Sequence, residues 1–294
     1  MRPRLGVLVG AKEPVAELPA TVRAAEAAGY DELWLAEDCF LHGGLTAAAT
    51  ALALTERLTV GTGLLPAAVR NPAIAAMEIA TLALLHPGRV QIAFGHGVEA
   101  WMRQIGARPP DRLVMLEEVV RATRALLHDE TVDTAGRFVT LRDVRLEQPP
   151  GTPPEILVGT TGERAMGIAA RAADGLVVPE GTSEPAVRWA RGLLGDGRLV
   201  VYSWLRIEDD AATAQAALSP VVERWRAGGN YPGLEARAGA LEELAVVGSA
   251  QDCADAVGRR GEAGADAVVL VPAGEDAAGQ VARFASEVLP LLRG

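Results

Sequence analysis

The chain has 294 residues, of which 49% are hydrophobic and 22% charged, and its formal net charge is −10. Such a composition is typical of a globular protein with a large core and excludes a disordered chain. The acidic balance argues against a nucleic-acid-binding protein, which would present a basic face. An anionic ligand would have to be held by local hydrogen-bond donors, because the overall field repels it.

Cysteine spacing and hydropathy indicate the compartment. Cys39 and Cys253 lack the spacing of a zinc site or a disulfide framework, so we expect no metal site and a reducing cytoplasm. The apolar run at residues 5–9 is shorter than the core of a signal peptide. Since no apolar segment reaches the length of a bilayer span, we expect no membrane contact.

Short segments rich in Val, Leu and Ile alternate along the chain with longer Ala-rich periodic segments. The short segments are almost entirely apolar, as strands buried on both faces are. They predict strands over residues 5–9, 32–36, 58–61, 90–94, 155–158, 175–178, 199–203 and 267–271. The periodic segments predict helices over residues 15–28, 46–55, 73–85, 113–128, 163–172, 184–194, 211–227, 250–263 and 277–291.

Eight strands alternating with helices predict a parallel sheet, and eight is the number that closes a (β/α)8 barrel. The expected fold class is therefore α/β, a TIM barrel that forms one domain over residues 1–294. Residues 129–154 differ from this pattern: they predict a hairpin that turns at Ala135-Gly136, inserted between strands four and five. Residues 226–239 form a Gly-rich polar break, which is either a mobile lid or a plain loop.

Two adjacent acids follow the second predicted strand, at the rim where such barrels hold their active sites. They are Glu37 and Asp38. Because neighbouring strand residues point to opposite sides, one of the two is expected to face the mouth and to exchange protons or hydrogen bonds there. The structural alternative is that Asp38 caps a loop.

Glycine and proline are concentrated after the third predicted strand, in residues 60–72. Gly61 and Gly63 allow unusual backbone angles or close approach of a ligand, and we expect strand pairing to stop at Pro66. Pro72 is expected to begin a helix. An ordinary turn is the alternative, although βα loops usually have about 2–6 residues.

A glycine pair follows the fourth predicted strand. Gly95, Gly97 and Ala100 match the dinucleotide fingerprint, but the fingerprint belongs in the first βα unit, so the match is weak. Small residues at a helix N-terminus can still expose N–H groups to a phosphate. His96, inside this turn, is a candidate acid or base, with a packed or solvated histidine as the alternative.

A second small-residue loop follows the fifth predicted strand. It contains Gly159, Thr160, Thr161 and Gly162, and Arg164 lies in the first turn of the next helix. Either threonine is a candidate helix cap. Alternatively, the loop and Arg164 hold an anion.

With these segments in view, the chain resembles the luciferase-like monooxygenase superfamily, and within it the branch that depends on the deazaflavin coenzyme F420. It is similar there to methylenetetrahydromethanopterin reductases. The resemblance rests on residues 31–40, 58–72, 80–106, 153–178 and 262–272, in order along the chain. It implies a TIM barrel with an insertion, in agreement with the strand count.

The resemblance also implies how the cofactor is held. In the family, a bulge at the end of strand three contains a non-prolyl cis peptide that supports the back of the deazaflavin ring, and here that bond is Gly63–Leu64. Glu37 and Asp38 match polar positions near the ring. The loops implied to approach the phosphate-bearing tail consist of Gly95, His96, Gly97 and Val98 and of Gly159, Thr160, Thr161 and Gly162.

The function that this resemblance implies is an F420-dependent oxidoreductase. Hydride would pass between the deazaflavin C5 and a small organic substrate, with Glu37 or Asp38 as the first proton-transfer candidate and His96 as the second. The alternatives are an FMN-dependent monooxygenase of the same fold and a non-catalytic barrel that binds a flavin-like ligand. Family analogy implies a homodimer. Many F420-dependent members carry Asp-His after strand two, whereas this chain has Glu37-Asp38, which disfavours sugar-phosphate dehydrogenase activity.

Overall fold

The computed structural model describes residues 2–228, 234, 237–274 and 276–293. Its strands are β1 (Arg4–Val9), β2 (Glu32–Leu35), β3 (Thr59–Pro66), β4 (Val90–Gly95), β5 (Val132–Ala135), β6 (Thr140–Val144), β7 (Glu155–Gly159), β8 (Gly175–Val178), β9 (Arg198–Ile207), β10 (Ala245–Gly248) and β11 (Ala267–Pro272). Its α-helices are α1 (Leu18–Ala28), α2 (Gly44–Ala53), α3 (Pro72–Leu85), α4 (Glu99–Gln104), α5 (Arg112–Leu127), α6 (Glu163–Ala172), α7 (Glu184–Leu194), α8 (Ala211–Gly228), α9 (Leu241–Leu244), α10 (Ala250–Glu262), α11 (Ala277–Arg283) and α12 (Leu289–Arg293).

Eight parallel strands close into a barrel. Their order around the ring is β1-β2-β3-β4-β7-β8-β9-β11, and β11 pairs with β1 to complete it. The tenth strand, β10, pairs only with the C-terminal half of β9 and lies outside the ring. The TIM-barrel prediction is therefore confirmed. In strand order, β3 and β9 are four positions apart and face each other across the barrel.

The third barrel strand is longer than the sequence predicts. It continues past the predicted end at Gly61 to Pro66, which pairs with Gly95 of β4, and strand pairing stops there as expected. Pro66 is tolerated because it is the last residue of the strand, where its missing N–H costs little. Pro72 does begin α3, and the Asn71 side chain caps that helix by accepting from the Ala73 N–H.

The sequence pattern does not predict the short elements. Helices α4 and α9 and strand β10 contain four to six residues each, too few for a periodic signal. The antiparallel pair β5–β6 lies between α5 and β7 in the chain. Of the polar break at 226–239, residues 229–233, 235 and 236 lie outside the described residues, so the lid expectation is not decided.

The N-terminal end of the barrel is closed by a buried ionic cluster. Glu32 has no exposed surface, and its carboxylate accepts from Arg4 Nε at 2.7 Å and from Trp34 Nε1 at 2.9 Å. Arg198 also donates to Glu32 and lies 3.5 Å from Glu155. Because these charges are paired and hydrogen-bonded, they seal this end without leaving an isolated buried charge.

Above this cluster, large side chains fill the barrel, and one of them requires glycine on the neighbouring strand. Trp34 is fully buried, and a Cβ added at Gly61 would lie 2.5 Å from two atoms of its indole ring. Gly61 therefore makes room for a barrel side chain. Within the part of the chain that is described, no helix is both long and apolar enough to cross a bilayer.

Replacing Gly61 by Ala should lower the free energy of unfolding by about 1–3 kcal/mol, because the new methyl overlaps the Trp34 ring. Gly192→Ala is the matched control, since Gly192 is exposed in α7 with nothing within 4 Å of an added Cβ. That control should change stability by about 1 kcal/mol or less, toward greater stability. Urea unfolding measures both. Equal stability of Gly61→Ala and wild type would contradict the packing account.

Candidate active site

A bulge interrupts β3 at the C-terminal end of the barrel. Gly63 pairs with Ala93 and Leu65 pairs with Phe94, so Leu64 is left out of the register. The Gly63–Leu64 peptide bond is cis, as the family resemblance implied. The Leu64 side chain is consequently turned out of the β3–β4 ladder and lies across the barrel mouth.

Two glycines of neighbouring strands accommodate Leu64. A Cβ added at Gly159 would lie 2.0 Å from Leu64 Cδ2, and one added at Gly95 would lie 2.6 Å from Leu64 Cδ1. Neither position can carry a side chain while Leu64 keeps its place. The structure therefore gives these two predicted cofactor-binding glycines a packing role, and only their backbone is free to approach a ligand.

Tyr202 reaches the bulge from the other side of the barrel. It projects inward from β9, and a Cβ added at Gly63 of β3 would lie 2.1 Å from its hydroxyl oxygen. Its ring packs edge-on against Trp34, with centroids 5.7 Å apart. Tyr202 and Leu64 together form what we call the floor of the mouth. Tyr202 was not among the predicted site residues. The sequence indicated it only indirectly, because a glycine at position 63 leaves space for a bulky side chain from the facing strand.

Glu37 is engaged in an ion pair. Its two carboxylate oxygens lie 2.6 and 2.8 Å from the Arg70 guanidinium, and Oε2 also accepts from the Gly44 N–H at 2.7 Å. Arg70 lies between β3 and α3, so this bidentate pair joins the loop after β2 to the chain that leaves the bulge. We infer that Glu37 positions the rim and is a poor candidate for proton transfer.

Asp38 is the other acid of the pair, and it is half-buried at the rim. Burial raises the pKa of its carboxyl group, and the charges of Lys12 and His42 partly oppose that shift. A carboxyl group with a raised pKa can hold or release a proton closer to neutral pH than an exposed one. Asp38 therefore remains the better of the two candidates for proton transfer.

A third acid, Glu180, follows β8 and was not predicted from the sequence. Glu180 is partly exposed; burial raises the pKa of its carboxyl group, and the Asp38 carboxylate raises it further. The charge of Asp38 is thus felt at Glu180. The sequence indicated Glu180 only by its position two residues after the end of a strand. Active-site residues of such barrels lie at the C-terminal ends of the strands.

The loop after β4 places His96 over the mouth. Its Nδ1 atom is buried without a hydrogen-bond partner among the described residues. Burial lowers the pKa of the imidazole, and the Arg112 charge lowers it further. Gly97 has a φ of +69° and Val98 is exposed immediately before α4. His96 is therefore a neutral imidazole near pH 7.

The loop after β7 presents backbone groups and few side-chain contacts. Gly162 is the residue before α6 and no side chain caps that helix, so the cap expected from Thr160 or Thr161 is absent. The Thr160 N–H instead donates to Val177 at 3.1 Å. Arg164 is exposed in the first turn of α6. Across the described ranges, no group of three His, Cys, Asp or Glu side chains is arranged to hold a metal ion.

This barrel and this bulge define a class of protein. The family model described as luciferase-like monooxygenase matches residues 1–267, and the chain belongs to that family. The superfamily resemblance seen in the sequence is thereby confirmed.

The chain is similar over most of its length to two oxidoreductases of known name. The chain is 28% identical to F420-dependent glucose-6-phosphate dehydrogenase from Kineococcus radiotolerans, over 92% of this chain and 90% of that protein. It is 26% identical to 5,10-methylenetetrahydromethanopterin reductase from Methanolobus tindarius, over 71% of this chain and 67% of the relative. A further match at 30% identity spans only 57% of the relative's length.

A solved structure shares the fold. An F420-dependent secondary alcohol dehydrogenase in complex with an F420-acetone adduct superposes with a TM-score of 0.81, at 22% identity over 100% of both chains.

The environment of His96 can be checked by NMR titration of its imidazole protons. We expect its pKa to lie below 6.5 in wild type and to rise in Arg112→Gln, because that change removes a nearby positive charge. Arg103→Gln is the control, since Arg103 and Arg112 both contact Glu99 but only Arg112 acts on His96. A pKa at or above 6.5 in wild type would contradict the described environment.

Proposed function

We propose that the protein is an F420-dependent oxidoreductase that transfers a hydride between the deazaflavin C5 and a small organic substrate. The observation that carries this proposal is the Gly63–Leu64 bulge, which sets Leu64 across the mouth over Gly95 and Gly159. A broad apolar floor at this point suits a planar ring. Relatives that are named F420-dependent favour F420 over FMN as that ring.

Unpartnered polar atoms around the floor fit a ring with polar edges. Within the described chain, His96 Nδ1 and the Tyr202 hydroxyl are buried without hydrogen-bond partners. Such atoms cost free energy unless a ligand or water satisfies them. The residues that would hold the cofactor are Leu64 and Tyr202 below the ring, with backbone groups of the loops after β4 and β7 toward its tail. When bound, F420 supplies the site that accepts or gives the hydride.

The chain's own groups supply binding, orientation and proton transfer. Asp38 holds or takes the substrate proton at its carboxylate, while Glu37, locked to Arg70, keeps the rim in place. His96 is a second candidate for proton transfer. The floor excludes water from beneath the bound ring. The acidic mouth, with Asp38 and Glu180, favours substrates that donate a hydrogen bond over phosphorylated ones.

An FMN-dependent monooxygenase is less favoured, and a non-catalytic binding barrel is the other alternative. All three can be separated by two parallel assays, one with F420 and small alcohols without oxygen and one with reduced FMN, oxygen and the same alcohols. The proposal expects loss of the oxidised F420 absorbance, with stoichiometric oxidation of the alcohol. Turnover only with reduced FMN and oxygen would support the monooxygenase, and binding without turnover would support the binding barrel.

Asp38→Asn should lower kcat for the F420 reaction by about 100-fold or more, since it removes the group that exchanges the substrate proton. Asp129→Asn is the matched control, because Asp129 pairs with Arg145 on the surface, away from the mouth. The control should keep wild-type kcat. Steady-state kinetics give kcat for both variants, and a parallel titration gives their affinity for F420. An unchanged kcat in Asp38→Asn would show that Asp38 does not transfer the proton.

We also propose a homodimer that uses α3. Ile74, Met77, Leu84 and Leu85 are exposed along one face of this helix, and an unpartnered apolar face on a surface helix is typical of an interface. Family analogy suggests that a second copy of this chain covers this face.

A cytoplasmic location stays a prediction.

Met77→Glu should shift the protein to monomer in light scattering coupled to gel filtration, because it buries a charge in the proposed interface. Ala170→Glu, on the exposed side of α6, is the control and should leave the mass unchanged. A wild-type protein that is monomeric at micromolar concentration, or a Met77→Glu variant that stays dimeric, would refute the α3 interface.

A further inference from the structure

The Tyr202 hydroxyl is a buried hydrogen-bond donor that lies against the facing strand of the barrel. The side chain starts on β9 and crosses the barrel to Gly63 on the facing strand, and the residue is only 6% exposed. Among the described residues, its hydroxyl has no hydrogen-bond partner. A buried hydroxyl without a partner is destabilising, and native proteins retain such groups chiefly where something else satisfies them.

The layer beneath Tyr202 cannot supply that partner. Trp34, which packs against the tyrosine ring, already donates its indole N–H to Glu32. The other inward residues that cluster with Tyr202 are aliphatic, namely Ala93, Leu157, Val177, Val200, Ala267 and Val269. We therefore look for the partner on the side of the mouth, where the bulge and Leu64 lie.

We propose that the Tyr202 hydroxyl is a cofactor-binding group, which donates a hydrogen bond to a carbonyl oxygen or an unprotonated ring nitrogen of F420 bound on the floor. This inference rests on the proposed function. It assigns a specific atom to a position that neither the sequence motifs nor the family match identifies.

The hydroxyl acts as a donor and not as a base. Burial raises the pKa of the phenol well above its ordinary value, and the nearby carboxylates of Glu180 and Glu32 raise it further. The phenol consequently keeps its proton throughout the neutral range. A donor that is fixed and uncharged suits an acceptor on a neutral ring edge, and it leaves proton exchange with the substrate to Asp38.

The test is F420 binding by Tyr202→Phe, compared with Thr62→Val. Thr62 also carries a buried hydroxyl that lacks a partner among the described residues. It lies between Gly61 and Gly63 on β3, so its side chain points away from the barrel interior, toward the helices. Each variant thus removes one orphaned hydroxyl at nearly constant shape, but only Tyr202→Phe removes one at the floor.

Equilibrium titration with oxidised F420 should show a dissociation constant about 3- to 10-fold higher for Tyr202→Phe than for wild type. The absorbance maximum of bound F420 should shift in Tyr202→Phe only, because a hydrogen bond to the ring edge is lost. Thr62→Val should match wild type in both measurements. Thermal unfolding of each apoprotein verifies that the variants are folded.

Two results would overturn the inference. One is Tyr202→Phe binding F420 with wild-type affinity and an unshifted spectrum; the other is an equal loss of affinity in Thr62→Val. In either case wild-type binding of F420 would stand, so the proposed function would survive. Failure of wild type itself to bind F420 would instead reject the proposed function and this inference with it.

Discussion

The close packing of three large side chains against glycines is the constraint on which the site depends. Trp34 lies over Gly61, Tyr202 meets Gly63, and Leu64 lies over Gly95 and Gly159. Because protein interiors are packed nearly as densely as crystals, none of these glycines can gain a side chain without moving a neighbour. The mouth is therefore shaped from below by fixed groups, while the loops above it remain free to vary.

The two ends of the barrel differ in how their buried charges are compensated. At the N-terminal end, Glu32 is paired with Arg4 and Arg198, so the buried charge is compensated. At the mouth, Asp38 and Glu180 form no ion pair of this kind, and burial raises the pKa of both carboxyl groups. Paired charges serve structure, whereas perturbed acids in a cleft are characteristic of functional sites.

The sequence was sufficient where local pattern decides the structure. The bounds of α6 and α7 match the predicted helices, since polar and apolar residues alternate there with helical period and Ser183 caps α7. It was insufficient where the partner is distant in the chain. Gly63 was interpreted as a site of unusual backbone angles or of ligand approach, because its partner, Tyr202, lies 139 residues away, a separation that follows from the residue numbers. For the same reason the sequence could not separate Glu37, held by Arg70, from Asp38.

Titration of the purified protein with F420 and with FMN, side by side and followed by ring absorbance, tests the central claim most directly. The claim is that the bulge and the floor made by Leu64 and Tyr202 hold a deazaflavin. The account predicts saturable binding of F420 and much weaker binding of FMN. Preference for FMN, or no binding of either ring, would contradict it.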